Sequence, residues 1–260
     1  TVNANNVTIN FHSHSLTLYN SAAVGVLVQN VSEFTLENDI IKGAAMYKTA
    51  TSAAVQLTSV QKAKLTNIYT FNTTKGVKIE NSTDVLIENS LLSTHEGLTV
   101  PNTASIGAGI WVDASTHVVV DGCTLQGAVL SSPLATGEAS NAILVQGASE
   151  DIVIKNSTFK NWLSTITLNQ VTGALIENCQ ADASPLSKSN LLELGSMTSK
   201  ANDVTIRNAT FRQETSVPGF DGLLFLNGSG CLMENVVVDV KTENDGVENN
   251  AYYPGAMHVG

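Results

Sequence analysis

The sequence contains few cysteines, prolines, aromatic residues and basic residues. Its 260 residues include three cysteines, five prolines and 5% aromatic residues, and only 13 Lys and Arg are set against 23 Asp and Glu. The resulting net charge of −10 largely excludes a nucleic-acid partner, because such a partner needs a basic surface. No apolar run approaches the roughly 18 residues of a membrane helix, so we expect no membrane insertion.

What the sequence has instead is a repeat of short segments with apolar residues at positions i and i+2. This spacing is typical of β-strands. The last apolar residue of each segment is here called its anchor, and the nine anchors are Ile9, Leu36, Leu65, Ile87, Val120, Ile154, Ile176, Ile206 and Met233. Successive anchors are 22 to 34 residues apart. Such a period indicates a solenoid, in which each unit buries its apolar face only against its neighbours.

Asparagine follows most anchors by two residues. The Asn residues at this position are Asn38, Asn67, Asn89, Asn156, Asn178, Asn208 and Asn235. Asn and Gly tolerate the left-handed backbone of a tight bend, and Gly122 occupies this position after Val120. We expect an Asn ladder at one corner, with the amides turned inward to pair bend backbone that faces no water.

Two further strands complete each unit. The strand before the anchor strand reads small-apolar-x-apolar, as in Gly76-Val77-Lys78-Ile79, and a third short strand follows the Asn. Three strands per turn with one tight Asn bend resemble the right-handed parallel β-helix family, the pectate-lyase-like superfamily of pectate lyases, polygalacturonases, alginate epimerases and phage tailspikes. The resemblance implies an all-β, single-domain solenoid of about nine coils over residues 1–260.

Cys123 and Cys179 both lie directly after the bend, and one whole coil separates the coils that contain them. Coils rise about 4.8 Å each, so the two residues should be roughly 9–10 Å apart, which is too far for a disulfide. We therefore expect both to be small interior residues without a disulfide.

The connections before the small-apolar-x-apolar strand vary in length. The variable segments are Gly43–Ala53, Ser93–Ala108, Gly127–Asn141, Asp182–Asn190, Arg212–Asp221 and Lys241–Gly255. Insertions at one corner tend to wall a groove, so we expect the outer face of the following strands to be its floor. Its outward residues form two columns: Leu27, Gln56, Lys78, Trp111, Leu144 and Thr167, and beside them Gln29, Thr58, Glu80, Asp113, Gln146 and Asn169.

The centre of this floor has the composition of a carbohydrate site. An outward Trp111 offers an apolar face to a sugar ring, and Lys78, Gln146 and Asn169 offer hydrogen-bond partners around it. The alternative is a tryptophan covered by its own loop, next to solvated acids. Both readings stay open at this point.

Glu80 and Asp113 are the candidate catalytic residues, on the order of 5 Å apart in neighbouring coils. A carboxylate pair can hydrolyse a glycosidic bond or bind Ca²⁺. The catalytic signatures of the resembled family are missing, since the sequence has no Asp-Asp pair, Gly-His-Gly, Arg-x-Lys or Asp-Pro-His-Glu and no arginine on the floor. An enzyme would be a polysaccharide lyase or a glycoside hydrolase. The alternative is a solvated surface.

Two functions from different classes follow. The first is a secreted or surface β-helix that binds or processes a polysaccharide around Trp111. The second is a structural or adhesive module of a spike, fibre or surface protein. Both place the protein outside the cell or on a surface, and since solenoids need caps, we expect a longer polypeptide or a partner over an end.

The acids beside an outward Trp111 favour the first function, and the missing enzyme motifs favour the second. The central anchor strands also predict an apolar strip on their outer face. The outward residues between the two buried positions of the central anchor strands are Leu86, Val119, Val153 and Leu175. A stacked strip of this kind extends over roughly 15–20 Å and is large enough to need a cover. We expect that cover to be a loop of the same chain or another subunit of a homo-oligomer.

Overall fold

The computed structural model describes residues 1–19, 24–43, 53–94, 99–100, 107–130, 141–184, 191–196, 198–215, 223–225, 227–242 and 257–259. Within these residues the regular structure is β-strand throughout, and every strand pair between coils is parallel. The described residues include no helix of the length and apolarity needed to span a bilayer. The predicted all-β solenoid is therefore confirmed.

Nine strands form one sheet, here called sheet A, from the small-apolar-x-apolar segments and their equivalents. In chain order they are Val24–Gln29, Ala53–Thr58, Lys75–Glu80, Ala108–Asp113, Asn141–Gln146, Ser164–Leu168, Leu192–Leu194, Leu223–Phe225 and Met257–Val259. Each strand pairs with its counterpart in the next coil, so sheet A runs along the whole solenoid.

The anchor strands and third strands make up a second sheet of 16 strands. The anchor strands are Val7–Asn10, Ser32–Glu37, Gln61–Thr66, Thr83–Glu88, Thr116–Asp121, Ser149–Lys155 and Val171–Glu177. The third strands are Ser15–Thr17, Ile40–Lys42, Tyr69–Phe71, Leu91–Ser93, Thr124–Gln126, Thr158–Lys160 and Gln180–Asp182. In the last two coils both parts form one strand, Ala201–Thr215 and Leu232–Thr242.

The core lies inside the coils and is filled by the alternate residues of the strands. The central anchors Ile87, Val120 and Ile154 are almost fully buried, as are Leu92 and Leu125 of the third strands. Because the register places equivalent residues of successive coils side by side, the buried residues form continuous apolar columns. Burial of these columns supplies the main favourable term for folding.

The Asn residues occupy equivalent corners, but they point outward. All seven have φ between 49° and 58°, as predicted for a left-handed bend. Six are exposed and Asn38 is half-buried, so the prediction that the amides turn inward is wrong. The Nδ2 groups of Asn67, Asn178 and Asn235 donate to the Oδ1 of the Asn one coil below, at 2.7, 3.2 and 3.1 Å. A continuous ladder through all seven stays a prediction.

Buried serines pair the corner backbone instead. Between sheet A and the anchor strands, the Oγ of Ser115 accepts the N–H of Ser82 at 3.0 Å and donates to the carbonyl of Asp113 at 2.8 Å. Ser149 repeats the arrangement one coil later and accepts the N–H of Ser115 at 3.2 Å. Each hydroxyl thus satisfies a donor in one coil and an acceptor in its own.

The residues directly after the Asn bend form a second buried column. Ser90, Cys123, Ser157 and Cys179 all lie in the interior, and neither cysteine forms a disulfide. Burial raises the pKa of both thiols to about 11. The prediction of small interior residues is confirmed, and these thiols are held in their unreactive protonated form.

We predict that left-handed backbone, more than the amide contact, explains asparagine at the bend. Replacing Asn178 with Ala should lower the free energy of unfolding by about 1 kcal/mol, because Ala is strained at positive φ and loses the contact with Asn156. Asn178→Gly, which suits the backbone, should cost less. Chemical denaturation measures both. Equal costs would assign the effect to the amide, and an unchanged midpoint for Asn178→Ala would contradict both explanations.

Replacing Ser115 with Ala should cost about 1–3 kcal/mol, because the N–H of Ser82 and the carbonyl of Asp113 lose their partner. The matched control is Ser15→Ala, which removes an exposed strand hydroxyl and should change the free energy of unfolding little. Urea titration of both variants checks this. The serine column has no structural role if the two midpoints coincide.

Candidate functional site

The outer face of sheet A brings the predicted patch together. Lys78 is in register with Trp111, and Glu80 is in register with Asp113. The next coil places Gln146 beside Asp113. Asn169 directly follows the strand Ser164–Leu168. Because Leu168 pairs with Val145, Asn169 lies beside Gln146 in the next coil. The site residues predicted from the sequence are therefore neighbours across four coils.

Strand alternation explains why these side chains point outward. Val77 and Ile79 are fully buried in the core, and the side chains of Lys78 and Glu80 are each 25% exposed. Trp111 and Asp113 are also half-buried, and they alternate with the buried Ile110 and Val112 of their strand. The outward columns predicted from the sequence are thus present, and their central side chains are partly shielded from water.

Both predicted catalytic carboxylates accept contacts from neighbouring side chains. Glu80 forms an ion pair with the Nζ of Lys78 at 2.7 Å and accepts the Nε2–H of Gln56 at 3.0 Å. Asp113 accepts the Nε2–H of Gln146 at 3.2 Å. These contacts orient the two acids. Catalysis by Glu80 and Asp113 stays a prediction.

The predicted Ca²⁺ site has few ligands. Among the described residues there is no group of three or more His, Cys, Asp or Glu side chains that could hold a metal ion. Ca²⁺ takes six to eight oxygen ligands, and Glu80 and Asp113 supply only two carboxylates, both already hydrogen-bonded. The donor set therefore fits Ca²⁺ poorly.

Lys75 belongs to the patch and was missed by the sequence analysis. Lys75 is only 5% exposed, and its Nζ lies 4.7 Å from the centroid of the Trp111 ring. Burial lowers the pKa of the Lys75 ammonium, the charge of Lys78 lowers it further, and Glu80 opposes both effects. A partly desolvated cation over an indole face is a favourable contact.

A local change in strand alternation turns Lys75 outward. A Cβ on Gly76 would lie 2.6 Å from the carbonyl oxygen of Gly109 and 3.4 Å from Leu92 of the core, so position 76 faces the interior. Val77 is also buried, so two successive positions face inward. The residue before them, Lys75, therefore turns to the outer face of sheet A, where its ammonium contacts Trp111. The signal in the sequence was a lysine directly before the glycine, but simple alternation assigns it to the core.

Trp111 is less available than predicted. The Lys75 ammonium lies over one face of its ring, and the residue as a whole is half-buried. Its Nε1–H is buried and has no hydrogen-bond acceptor among the described residues. Buried donors are usually paired, so this group is an unexplained feature of the patch.

The next coils continue the patch with buried polar groups. The Oγ1 of Thr167 donates to the Oδ1 of Asn141 at 2.9 Å and lies 3.2 Å from the Oγ of Ser164. Asn141 and Ser164 follow Lys75 and Ala108 in one register column of sheet A. The sequence analysis missed this column as well, because it started each strand at the small residue.

Most of the predicted groove walls lie outside the described residues. Within the described part, Thr99–Val100 pairs in parallel with Val129–Leu130, so two successive variable connections contact each other. The apolar strip lies on the other sheet, where Leu86, Val119, Val153 and Leu175 are in register and each is half-buried.

The family described as right handed beta helix region matches residues 2–132, half of the chain. The alginate lyase of Paenibacillus sp. str. FPU-7 is similar in structure, with a TM-score of 0.63 at 13% identity over 92% of this chain and 85% of that chain. The endo-xylogalacturonan hydrolase of Aspergillus tubingensis gives a TM-score of 0.54 at 11% identity, over 91% and 79% of the two chains.

No curated protein matches the chain in sequence. The identities to the two solved structures are too low to transfer an activity, so these similarities concern the fold alone. The coils after residue 132 keep the strand order and register of the matched half. The chain therefore belongs to the right-handed β-helix family.

Proposed function

We propose that the protein binds a polysaccharide along the outer face of sheet A, in the groove around Trp111. The observation that carries this proposal is the cluster of Lys75, Trp111 and Lys78. In it an aromatic ring and the ammonium groups of two lysines lie side by side. Such a mixture of apolar face and hydrogen-bonding groups is what recognition of a sugar ring requires.

The shape of the surface suits an extended ligand. The polar column runs through Glu80, Asp113, Gln146 and Asn169, one residue per coil, at a spacing of about 4.8 Å. A chain of sugar units lying parallel to the solenoid axis would meet a similar set of donors and acceptors at each coil. Repeated contacts along one ligand add affinity without any single strong contact.

The structural similarities support the class of ligand. The two solved structures are named as an alginate lyase and an endo-xylogalacturonan hydrolase, so both act on polysaccharides. A ligand of this class agrees with the location predicted from the sequence, outside the cell or on a surface.

Cleavage of the bound polysaccharide is an extension of this proposal. The carboxylates of Glu80 and Asp113 are engaged with protein donors, and burial lowers the pKa of the Lys75 ammonium. A neutral amine can act as a general base, which suits proton abstraction by a lyase better than hydrolysis by a carboxylate pair. Of the two reaction types expected from the sequence, the patch thus favours elimination.

Replacing Trp111 with Ala should weaken polysaccharide binding about tenfold, which corresponds to about 1.4 kcal/mol, because the ligand loses its apolar contact. The measurement is a binding screen of acidic and neutral polysaccharides by affinity electrophoresis, followed by calorimetry on those that bind. Trp111→Phe keeps an aromatic face and should retain most of the affinity.

Tyr19→Ala is the matched control, because it removes an exposed aromatic side chain that precedes the first strand of sheet A, three strands before the strand of Trp111. Binding that survives Trp111→Ala unchanged would refute the proposed location, and a wild type that binds no polysaccharide would refute the function. Unsaturated products released by the wild type and lost in Lys75→Arg would extend the function to elimination.

A lateral contact is the second candidate function, and the half-buried apolar strip favours it. Val119 and Val153 lie at its centre, and the ion pairs Lys64–Glu88 at 2.8 Å and Lys155–Asp121 at 3.2 Å flank it. Apolar residues with a polar rim are typical of an interface between subunits. A homo-oligomer through this strip agrees with the structural or adhesive module expected from the sequence.

The double variant Val119→Lys with Val153→Lys should dissociate such an oligomer, because four lysines would face each other across a symmetric contact. Light scattering measures the molar mass. Thr8→Lys with Thr35→Lys is the matched control, since it adds the same charges to the polar part of the same column. A monomeric wild type, with a double variant of equal stability, would exclude this contact.

A further inference from the structure

A polar groove lies at the corner between sheet A and the anchor strands. It is an open depression of about 460 Å³ on the surface of three successive coils. Its lining residues are Ala148, Ser149, Glu150, Gln170, Val171, Thr172, Thr198, Ser199, Lys200 and Asn202. This set is here called the corner groove. Its volume falls within the range of sites that bind small ligands.

The lining is a column of hydrogen-bonding groups. Glu150 is in register with Thr172, and Thr172 is in register with Asn202, so a carboxylate, a hydroxyl and an amide follow each other at a spacing of about 4.8 Å. The Oδ1 of Asn202 already accepts the N–H and the hydroxyl of Ser229, at 3.1 and 3.2 Å. The amide therefore presents its N–H groups as donors.

Two opposite charges complete the corner groove. Glu150 and Lys200 are both exposed, and neither forms an ion pair with any other described residue. A carboxylate accepts hydrogen bonds from hydroxyl groups, and an ammonium donates to them. Glu150 disfavours an anionic ligand and Lys200 disfavours a cationic one, so a neutral polyhydroxylated ligand fits both.

The corner groove is continuous with the patch around Trp111. Gln170 directly follows Asn169, the last residue of the polar column, and Ala148 follows Gln146 by two residues. The hydroxyl of Ser199 in the groove wall donates to the Oδ1 of Asn169 at 3.3 Å. A ligand that lies along sheet A can thus reach the corner groove without crossing an apolar surface.

We propose that the corner groove is an additional subsite for neutral sugar units of the polysaccharide, as a flanking segment or a branch. This inference rests on the proposed function of sheet A. Glu150 and Thr172 would bond the sugar hydroxyls on one side, and Asn202 and Lys200 would bond them on the other. The corner groove then sets the preference for neutral over acidic units at this position.

The test uses the full chain and a size series of neutral xylo- and manno-oligosaccharides, from disaccharide to hexasaccharide, with oligogalacturonates as acidic probes. Calorimetry should show affinity for the neutral series. Thr172→Trp fills the corner groove and should reduce that affinity at least about tenfold, and Glu150→Gln should reduce it by about a similar factor through loss of a charge-assisted bond.

Gln61→Trp is the matched control, because Gln61 is exposed and occupies the same register column three coils below Glu150, outside the groove. It should bind like the wild type. Circular dichroism and denaturation of Thr172→Trp confirm that the variant is folded; if it is not, Glu150→Gln alone decides.

The outcomes separate the two proposals. If Trp111→Ala loses affinity and Thr172→Trp does not, the corner groove inference is overturned and the proposed function stands. If Thr172→Trp loses affinity and Trp111→Ala does not, the corner groove is supported and the location of the main site is wrong. The assigned ligand class is overturned if the wild type binds oligogalacturonates more tightly than the neutral probes and Thr172→Trp loses that affinity. It is also overturned if no neutral probe binds.

Discussion

Pairing of the corner backbone is the constraint on which the rest of this structure depends. Along the strands, each coil bonds to the coils above and below, but at the corners the chain turns through residues of positive φ and the regular strand ladder is interrupted. The buried hydroxyls of Ser115 and Ser149 bridge this gap, since each accepts an N–H from the previous coil and donates to a carbonyl of its own. An unpaired buried group costs about 1–3 kcal/mol, so the corners decide whether a coil can close.

Because the closed coils stack in strict register, equivalent residues of successive coils form columns of side chains on the surface. A side chain on the outer face of sheet A meets the equivalent side chain of the next coil, which brings Lys78 next to Trp111 although 33 residues separate them. The register that fills the core with Val and Ile therefore also builds the candidate site outside it. Such a surface offers similar groups at regular intervals, and this is a property suited to a polymeric ligand.

The patch around Trp111 combines groups whose interactions oppose each other. Burial of Lys75 disfavours its charge, whereas the indole face and Glu80 favour it. The carboxylates of Glu80 and Asp113 are held by Lys78 and by the amides of Gln56 and Gln146. With two lysines and two carboxylates, the patch is close to neutral in a strongly acidic protein, and this balance agrees with the proposed binding of a sugar chain.

The sequence alone determined the coil count, the strand order, the bends and the register that places Lys78 beside Trp111, because period-2 alternation and a fixed offset from the anchors are local properties. It did not determine which way the corner residues point. Asn and Ser both stand at corners, and only the closed coil shows that Ser115 and Ser149 are buried whereas most of the bend amides are exposed. Lys75 was missed because two successive residues face the core at Gly76 and Val77, which reverses the alternation before them. The corner groove was also invisible, since its walls come from three coils that only the tertiary structure brings together.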